Sequence, residues 1–406
     1  MKYSNQNKRV VITGLGVISS LGIGWQEFWK NLIAGKSGIS RVTAFDTSPY
    51  DRHFAGEVKD FRPEEFLSPK KVRQMGRASQ FSVASSKLAL EDAKLTYREL
   101  KQERSGVIIG TTVGELRLLE EFHDVLRNKT KTVSNNLLSV FPSSSLSATV
   151  AQRMKLCGYN SVFTTACASG NYSIGYAYDL IRCGKIDFVL AGGSDSFSRV
   201  IFTGFSRLFA MAPEKCQPFD KNRKGMMTGE GAGVLFLETL ESAQKRKAKV
   251  YAEVLGYGLS CDAHHMTNPS VDGIAKAIKK ALSNSKIGPQ DVDYISAHGT
   301  GTPENDSAEC DAIKKVLGDR VKGTPVSSIK SMLGHTMGAA SALEAIACCL
   351  TIDKGVIAPT INLEEMDPKC AIDCVPNKAR KAEVKVALNN SSAFGGNNCC
   401  VVFKKI

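Results

Sequence analysis

Apolar, strand-like runs in this chain break into turns of small residues and continue as small-residue helices, and they do so in both halves. Phe163–Gly170 shows the pattern in the first half; Ile295–Thr302 and Ser331–Ala340 show it in the second. Strands of this kind are buried on both faces only when helices cover the sheet, so the chain is restricted to an α/β fold with mixed, largely buried sheets. Other runs keep the alternation. Arg9–Thr13, Val107–Gly110, Asp187–Ala191 and Val292–Ser296 read as strands. Phe81, Ala84, Leu88 and Leu90 have helical spacing, and Ile274–Leu282 reads as a helix. The basic, polar stretch Glu241–Lys249 separates Gly233–Leu237 from Val250–Val254. That places a boundary near the midpoint, giving units 1–247 and 248–406. A length of 406 residues agrees, at about 150 residues per domain. There is no short repeat; the outline is that of one unit duplicated.

Several functions are set aside. Apolar runs are interrupted well before a membrane-spanning length, and MKYSNQNKRVVITG lacks a charged-then-apolar leader pattern. A soluble, cytoplasmic protein is expected. The 12 cysteines show no paired C-x-x-C spacing, so no metal site is expected and most are read as small buried hydrophobes. GLGVISSLG, read as a turn after the first strand, has Ser19 where a dinucleotide fingerprint needs its third glycine. AGKSG lacks the leading glycine of a P-loop, since position 30 is Lys30. The net charge of +13 calls for an acidic partner or for nothing beyond solubility; 7% aromatics and the lack of a nucleic-acid-binding pattern argue against nucleic acid.

One cysteine stands apart. Cys167 lies in VFTTACASGNYSIG, where an apolar run gives way to small residues and then to a helix over roughly Ala168–Arg182. A helix N-terminus favours a thiolate and offers N–H donors to an oxyanion. Small neighbours leave room for a thioester. Of the six histidines, His298 in AHGTGTP and His335 in KSMLGHTMGAAS sit in glycine-rich turns. Two imidazoles beside one cysteine, without an obvious Asp or Asn orienter, suit carbon–carbon chemistry better than peptide hydrolysis.

TTACASG, AHGTGTPEND, VSSIKSMLGHTMGAASALE and the terminal SSAFGGNNCCVVFKKI resemble the β-ketoacyl-acyl-carrier-protein synthases, most closely the elongating KAS II type. The likeness runs from VVITGLGVISSLG to FKKI and includes PFDKNRKGMMTGEGAGVLFLE and DAHHMTNPS. It implies the thiolase fold: two related halves in a five-layered α-β-α-β-α core, working as a homodimer or paired with a relative. It implies Cys167 as the acyl acceptor, with the backbone N–H groups of Cys167 and Phe394 as oxyanion hole. His298 and His335 would stabilise the malonyl enolate. Lys330 and Glu344 would organise the second histidine. Thr300 and Thr302 would hold the pantetheine arm, and Asp306 and Glu309 would support the loop after His298. Val113 and Phe205 would shape the acyl pocket. No cofactor is implied beyond the 4′-phosphopantetheine of the carrier protein. That acidic carrier would dock on Lys70, Lys71, Arg73, Lys129, Lys131 and Arg207.

The chain also departs from the family. The usual terminal loop N-S-F-G-F-G-G-T-N reads here Asn390-Ser391-Ser392-Ala393-Phe394-Gly395-Gly396-Asn397-Asn398. Ser196–Pro213 is divergent and short, and Val113 stands where a bulkier Ile commonly limits the pocket from across the dimer. An acyl specificity unlike housekeeping fatty acid synthesis is expected: an unusual lipid, a polyene or a polyketide-like chain. The competing readings are a non-catalytic partner of the chain-length-factor kind, a cysteine hydrolase, and a basic binding protein on a dead fold.

Overall fold

The computed structural model describes residues 8–100, 102–128 and 139–406. Ten strands make its framework: β1 Val10–Ser19, β2 Ser105–Gly110, β3 Tyr159–Phe163, β4 Phe188–Asp195, β5 Gly231–Thr239, β6 Ala252–Cys261, β7 Tyr294–Ser296, β8 Val326–Ser327, β9 Val386–Ser392 and β10 Asn397–Lys404. They run in the order β8-β7-β9-β10-β6-β1-β5-β4-β2-β3, with the two-residue strand Gly22–Ile23 pairing β1.

This order reads as one unit written twice. From β1 outward, β5 and β4 join antiparallel, then β2 and β3 join parallel. From β6 outward, β10 and β9 join antiparallel, then β7 and β8 join parallel. A short antiparallel ladder between β1 and β6, from Val10 opposite Val254 to Ile12 opposite Ala252, stitches the halves together.

Helices complete five layers. Helices α1 (Arg77–Asp92) and α2 (Leu116–Asn128) precede α3 (Ser145–Met154), and α1 and α3 cover the outer face of the first half. Helix α4 (Ser169–Arg182) follows, then α5 (Arg199–Arg207). Helices α6 (Val271–Ser285) and α7 (Pro303–Leu317) cover the outer face of the second half. Between the two halves of the sheet lie α4 and the last helix, α8 (Ala340–Lys354). The apolar core follows this plan. A central cluster joins Ile174 and Ile181 to Leu343 and Ile346, and one further cluster lies under each outer layer. Every described residue of α8 from Ala340 to Ile352 is buried, as a middle layer requires.

One expectation fails. GLGVISSLG is not a turn; β1 continues through Gly14 and Gly16 to Ser19, buried along its whole length. Those glycines serve packing. A Cβ on Gly16 would lie 1.8 Å from the Ser85 carbonyl oxygen, and one on Gly14 would lie 2.1 Å from that of Ala89. Helix α1 presses its Ser- and Ala-rich face onto the strand at a distance that only glycine allows. No described helix is long and apolar enough to cross a membrane.

Candidate active site

Each half holds three strands that run parallel to one another, and the singled-out residues follow the ends of those strands. Cys167 comes just after β3, His298 just after β7, and Lys330 and His335 after β8. Phe394 comes after β9, and β4 itself ends on Asp195. Loops at the carboxyl ends of parallel strands are the usual place for chemistry in α/β folds.

Cys167 sits in a tight turn, Ala166–Ala168, directly ahead of α4. Ala166 holds a left-handed φ of 48°, a strained setting for a residue with a side chain. The second half repeats the device. Met337 has φ 53°, a turn covers Met337–Ala339, and α8 follows. The two helix starts interlock: the Ser341 hydroxyl donates to the Cys167 carbonyl oxygen at 3.2 Å and accepts from the Asn171 N–H at 3.0 Å. A Cβ on Gly170 would lie 2.7 Å from the Ala342 nitrogen, so the helices meet at backbone distance.

Ligating atoms of Cys167, His298 and His335 lie within 4.8 Å of one another. All three residues are buried, and the imidazole rings stand nearly perpendicular, 83° apart, with centroids 5.3 Å distant. The His335 Nδ1 accepts the Met337 N–H at 3.1 Å. Its proton is therefore on Nε2, which is a donor. Burial lowers both imidazoles well below the usual range, and the nearby Lys330 charge lowers them further. Both are neutral hydrogen-bond donors at physiological pH.

The thiol does not follow the expectation drawn from its helix start. Burial pushes Cys167 up to about 12, opposed chiefly by the Lys330 charge. With only 7% of the residue exposed, desolvation of a thiolate outweighs the helix end.

The supporting residues form a continuous scaffold. Lys330 is fully buried, donates to the His298 carbonyl oxygen at 2.6 Å and pairs with Glu344. Burial raises the Glu344 carboxyl to about 7, with Lys330 pulling the other way. The Glu309 carboxylate accepts the backbone N–H groups of His298 at 2.7 Å and Gly299 at 2.8 Å, and an Asn390 amide N–H at 2.6 Å. Asp306 accepts the Gly301 and Phe219 N–H groups. Gly301 has φ 82°, and a Cβ there would lie 2.8 Å from the Gly225 carbonyl oxygen, so the loop demands glycine. Thr300 and Thr302, whose hydroxyls are 2.9 Å apart, line the cavity that leads to Cys167.

The same cavity is lined by Phe205, Ser392, Ala393 and Phe394. Phe205 and Phe394 pack against each other with ring centroids 5.6 Å apart. The Ser392 hydroxyl is buried there without a partner among the described residues. Val113 is not on this lining; its N–H donates to Asp195 at 3.2 Å. Lys70, Lys71, Arg73 and Arg207 lie at the surface, Lys71 half-buried, whereas Lys129 and Lys131 fall outside the described residues.

Sequence reasoning missed Asp195. This fully buried carboxylate accepts the Thr111 hydroxyl at 2.6 Å and the N–H groups of Thr112 at 2.7 Å and Gly338 at 2.6 Å. It ties the Val113 loop to the second half's tight turn. Burial raises it to about 6, against four hydrogen bonds. The one available signal was an acidic residue closing the apolar run DFVLAGGSD. Asn171 and Asn389, which bond each other at 2.8 Å beneath Cys167, were missed as well.

A duplicated, five-layered fold with a Cys-His-His trio at its strand ends defines the class of thiolase-fold condensing proteins. Within that class the chain belongs to the β-ketoacyl synthase family, whose N-terminal domain matches residues 7–243 and whose C-terminal domain matches residues 251–364. It is 41% identical to 3-oxoacyl-[acyl-carrier-protein] synthase 2 of Synechocystis, covering 98% of this chain and 99% of that one. Identity to the Staphylococcus aureus protein of the same name is 39%, covering 99% of both. Among solved structures it is similar to the ishigamide ketosynthase/chain length factor, with TM-score 0.95, 45% identity and coverage of 98% and 100%. It is also similar to a ketosynthase bound to a hexaketide in complex with its type II polyketide synthase acyl carrier protein, with TM-score 0.90, 34% identity and coverage of 99% and 100%.

Proposed function

We propose that this chain is a β-ketoacyl-acyl-carrier-protein synthase that loads an acyl chain on Cys167 and extends it by two carbons. The observation that carries the reading is the buried trio, with ligating atoms of Cys167, His298 and His335 within 4.8 Å at the strand ends.

In loading, the Cys167 sulfur attacks the thioester of an acyl carrier protein. The S–C bond to Cys167 forms, the bond to pantetheine breaks, and the thiol proton passes to the leaving sulfur. The thiolate is the attacking form, so the proton that burial holds on the resting thiol has to leave the sulfur as the new bond forms. The N–H groups of Cys167 and Phe394 receive the oxyanion. In the second step His298 and His335 donate to the malonyl thioester carbonyl. As neutral donors they stabilise the enolate while carbon dioxide leaves, without protonating it. The enolate carbon attacks the acyl-Cys167 carbonyl, and the expelled thiolate takes a proton from solvent. The Lys330 charge, held in place by Glu344, helps keep the imidazoles neutral, Glu309 and Asp306 hold the His298 loop, and Thr300 and Thr302 take the pantetheine arm.

The reading extends to a cytoplasmic enzyme with catalytic halves 1–247 and 248–406, no cofactor of its own, and substrates carried on phosphopantetheine. Lys70, Lys71, Arg73, Lys129, Lys131 and Arg207 are its cationic docking set for an acidic carrier, and it pairs with itself or with a related ketosynthase. The intact trio speaks against a non-catalytic partner. Ser392 and Ala393 in the terminal loop, with Phe205 on the cavity lining and Val113 reaching the acyl pocket from across a dimer, favour an unusual chain over housekeeping fatty acids.

Intact-protein mass tests the reading. The enzyme is mixed with a panel of acyl carrier proteins, then with malonyl carrier protein. A mass gain on the enzyme, absent in Cys167→Ala and discharged as a product two carbons longer, is expected. Failure of every chain to load would overturn the reading, and a plain saturated C4–C16 preference would overturn the claim of unusual specificity.

A further inference from the structure

Four large apolar side chains stand in solvent near the mouth of the catalytic cavity: Leu208 at 56% exposure, Phe209 at 88%, Met266 at 68% and Phe394 at 38%. Phe209 is the most exposed large apolar side chain among the described residues. Its neighbours along the chain, Phe205 and Ala210, line the cavity, and so do Met266 and Phe394. Phe209 also holds a left-handed φ of 55° at the end of α5. That position is ordinarily given to glycine or asparagine. An aromatic residue that is strained in its backbone and bare to water contributes little to the fold.

The platform beneath it is fixed. The Glu120 carboxylate caps α5 by accepting the N–H groups of Arg199 at 3.1 Å and Val200 at 2.8 Å, and Arg199 pairs with Asp124 of α2 at 2.9 Å. The facing loop is tied down too, since the Gly395 N–H donates to the Met266 carbonyl oxygen at 2.9 Å. Two anchored segments thus present apolar side chains beside one opening, with the exposed Arg207 next to them. A thioester that arrives on a tethered arm brings the body of its carrier over this opening. The net charge of +13 selects an acidic body.

We propose that Phe209, flanked by Leu208 and Met266, is an apolar knob that seats in an apolar recess of the acidic carrier protein, so that docking at the mouth is hydrophobic and the cations steer from farther out. This rests on the carrier-dependent reading above. Interface anchors of this kind are single buried aromatics ringed by weaker contacts.

The test is Phe209→Gly, which removes the knob and suits the left-handed backbone. We expect KM for the acyl carrier protein substrate to rise about tenfold at low and high salt alike, with kcat within about twofold. Both constants for the free acyl-pantetheine thioester should stay within about twofold, and the melting temperature should not fall. Carrier binding is measured separately by fluorescence anisotropy. Unchanged KM and unchanged carrier binding in Phe209→Gly would overturn the knob, and so would an equal rise in KM for both substrates. Wild-type enzyme that binds carrier through Phe209 but condenses nothing would sink the enzyme reading and leave the docking surface standing. Wild-type enzyme that binds no carrier would sink both.

Discussion

At neutral pH the Cys167 thiol keeps its proton while His298 and His335 are neutral, each with a single ring N–H, an outcome set by burial rather than by any one contact. Alkylation of Cys167 by iodoacetamide, followed on its own peptide by mass spectrometry, should rise about tenfold per pH unit with no plateau below about pH 9. The exposed Cys157, Cys183 and Cys261 serve as internal controls. A plateau between about pH 6 and 8 would mean that the helix start, not burial, rules the thiol. The trio itself was legible in the sequence because cysteine among small residues and histidines beside glycines are unusual settings. Asp195 was not, because its meaning lies in Thr111, Thr112 and Gly338, which only the folded sheet brings to it.

Elements were more legible than their boundaries. The runs around Val107, Asp187 and Gly233 became strands where apolar residues gather, since such runs are stable only inside a covered sheet. The first strand was cut short because glycine marks turns and close contacts with the same letter; Gly14 and Gly16 belong to the second kind. The contact between α4 and α8 is of that kind too, with the Gly170 Cα hydrogen aimed at the Ala342 backbone. Gly170→Ala would put its Cβ 2.7 Å from that nitrogen and push the helices apart. We expect a stability loss of about 1–3 kcal/mol, read by thermal melting, together with a lower condensation rate as Cys167 and His335 separate. An unchanged melting temperature would show that the interface yields without cost.

Over the whole molecule, the docking proposed above would divide the work between charge and apolar surface. Lys70 and Lys71 lie on the short helix Pro69–Val72, and Arg207 closes α5. Reversing Lys70, Lys71 and Arg207 to Glu should raise KM for carrier-borne substrates at low salt and should matter less as salt is added. An unchanged KM would remove these three residues from the docking surface. The net charge alone could not have separated this use from plain solubility.

The paired tight turns carry a consequence for stoichiometry. Ala166 and Met337 are equivalent strained residues, so Gly338 occupies in the second half the place that Cys167 has in the first. Its N–H is spoken for by Asp195, and a Cβ there would lie 2.6 Å from the Thr111 backbone. On the proposed function, the two-unit chain would therefore have one loading point and not two. However many copies assemble, saturation should be reached at one acyl equivalent per chain.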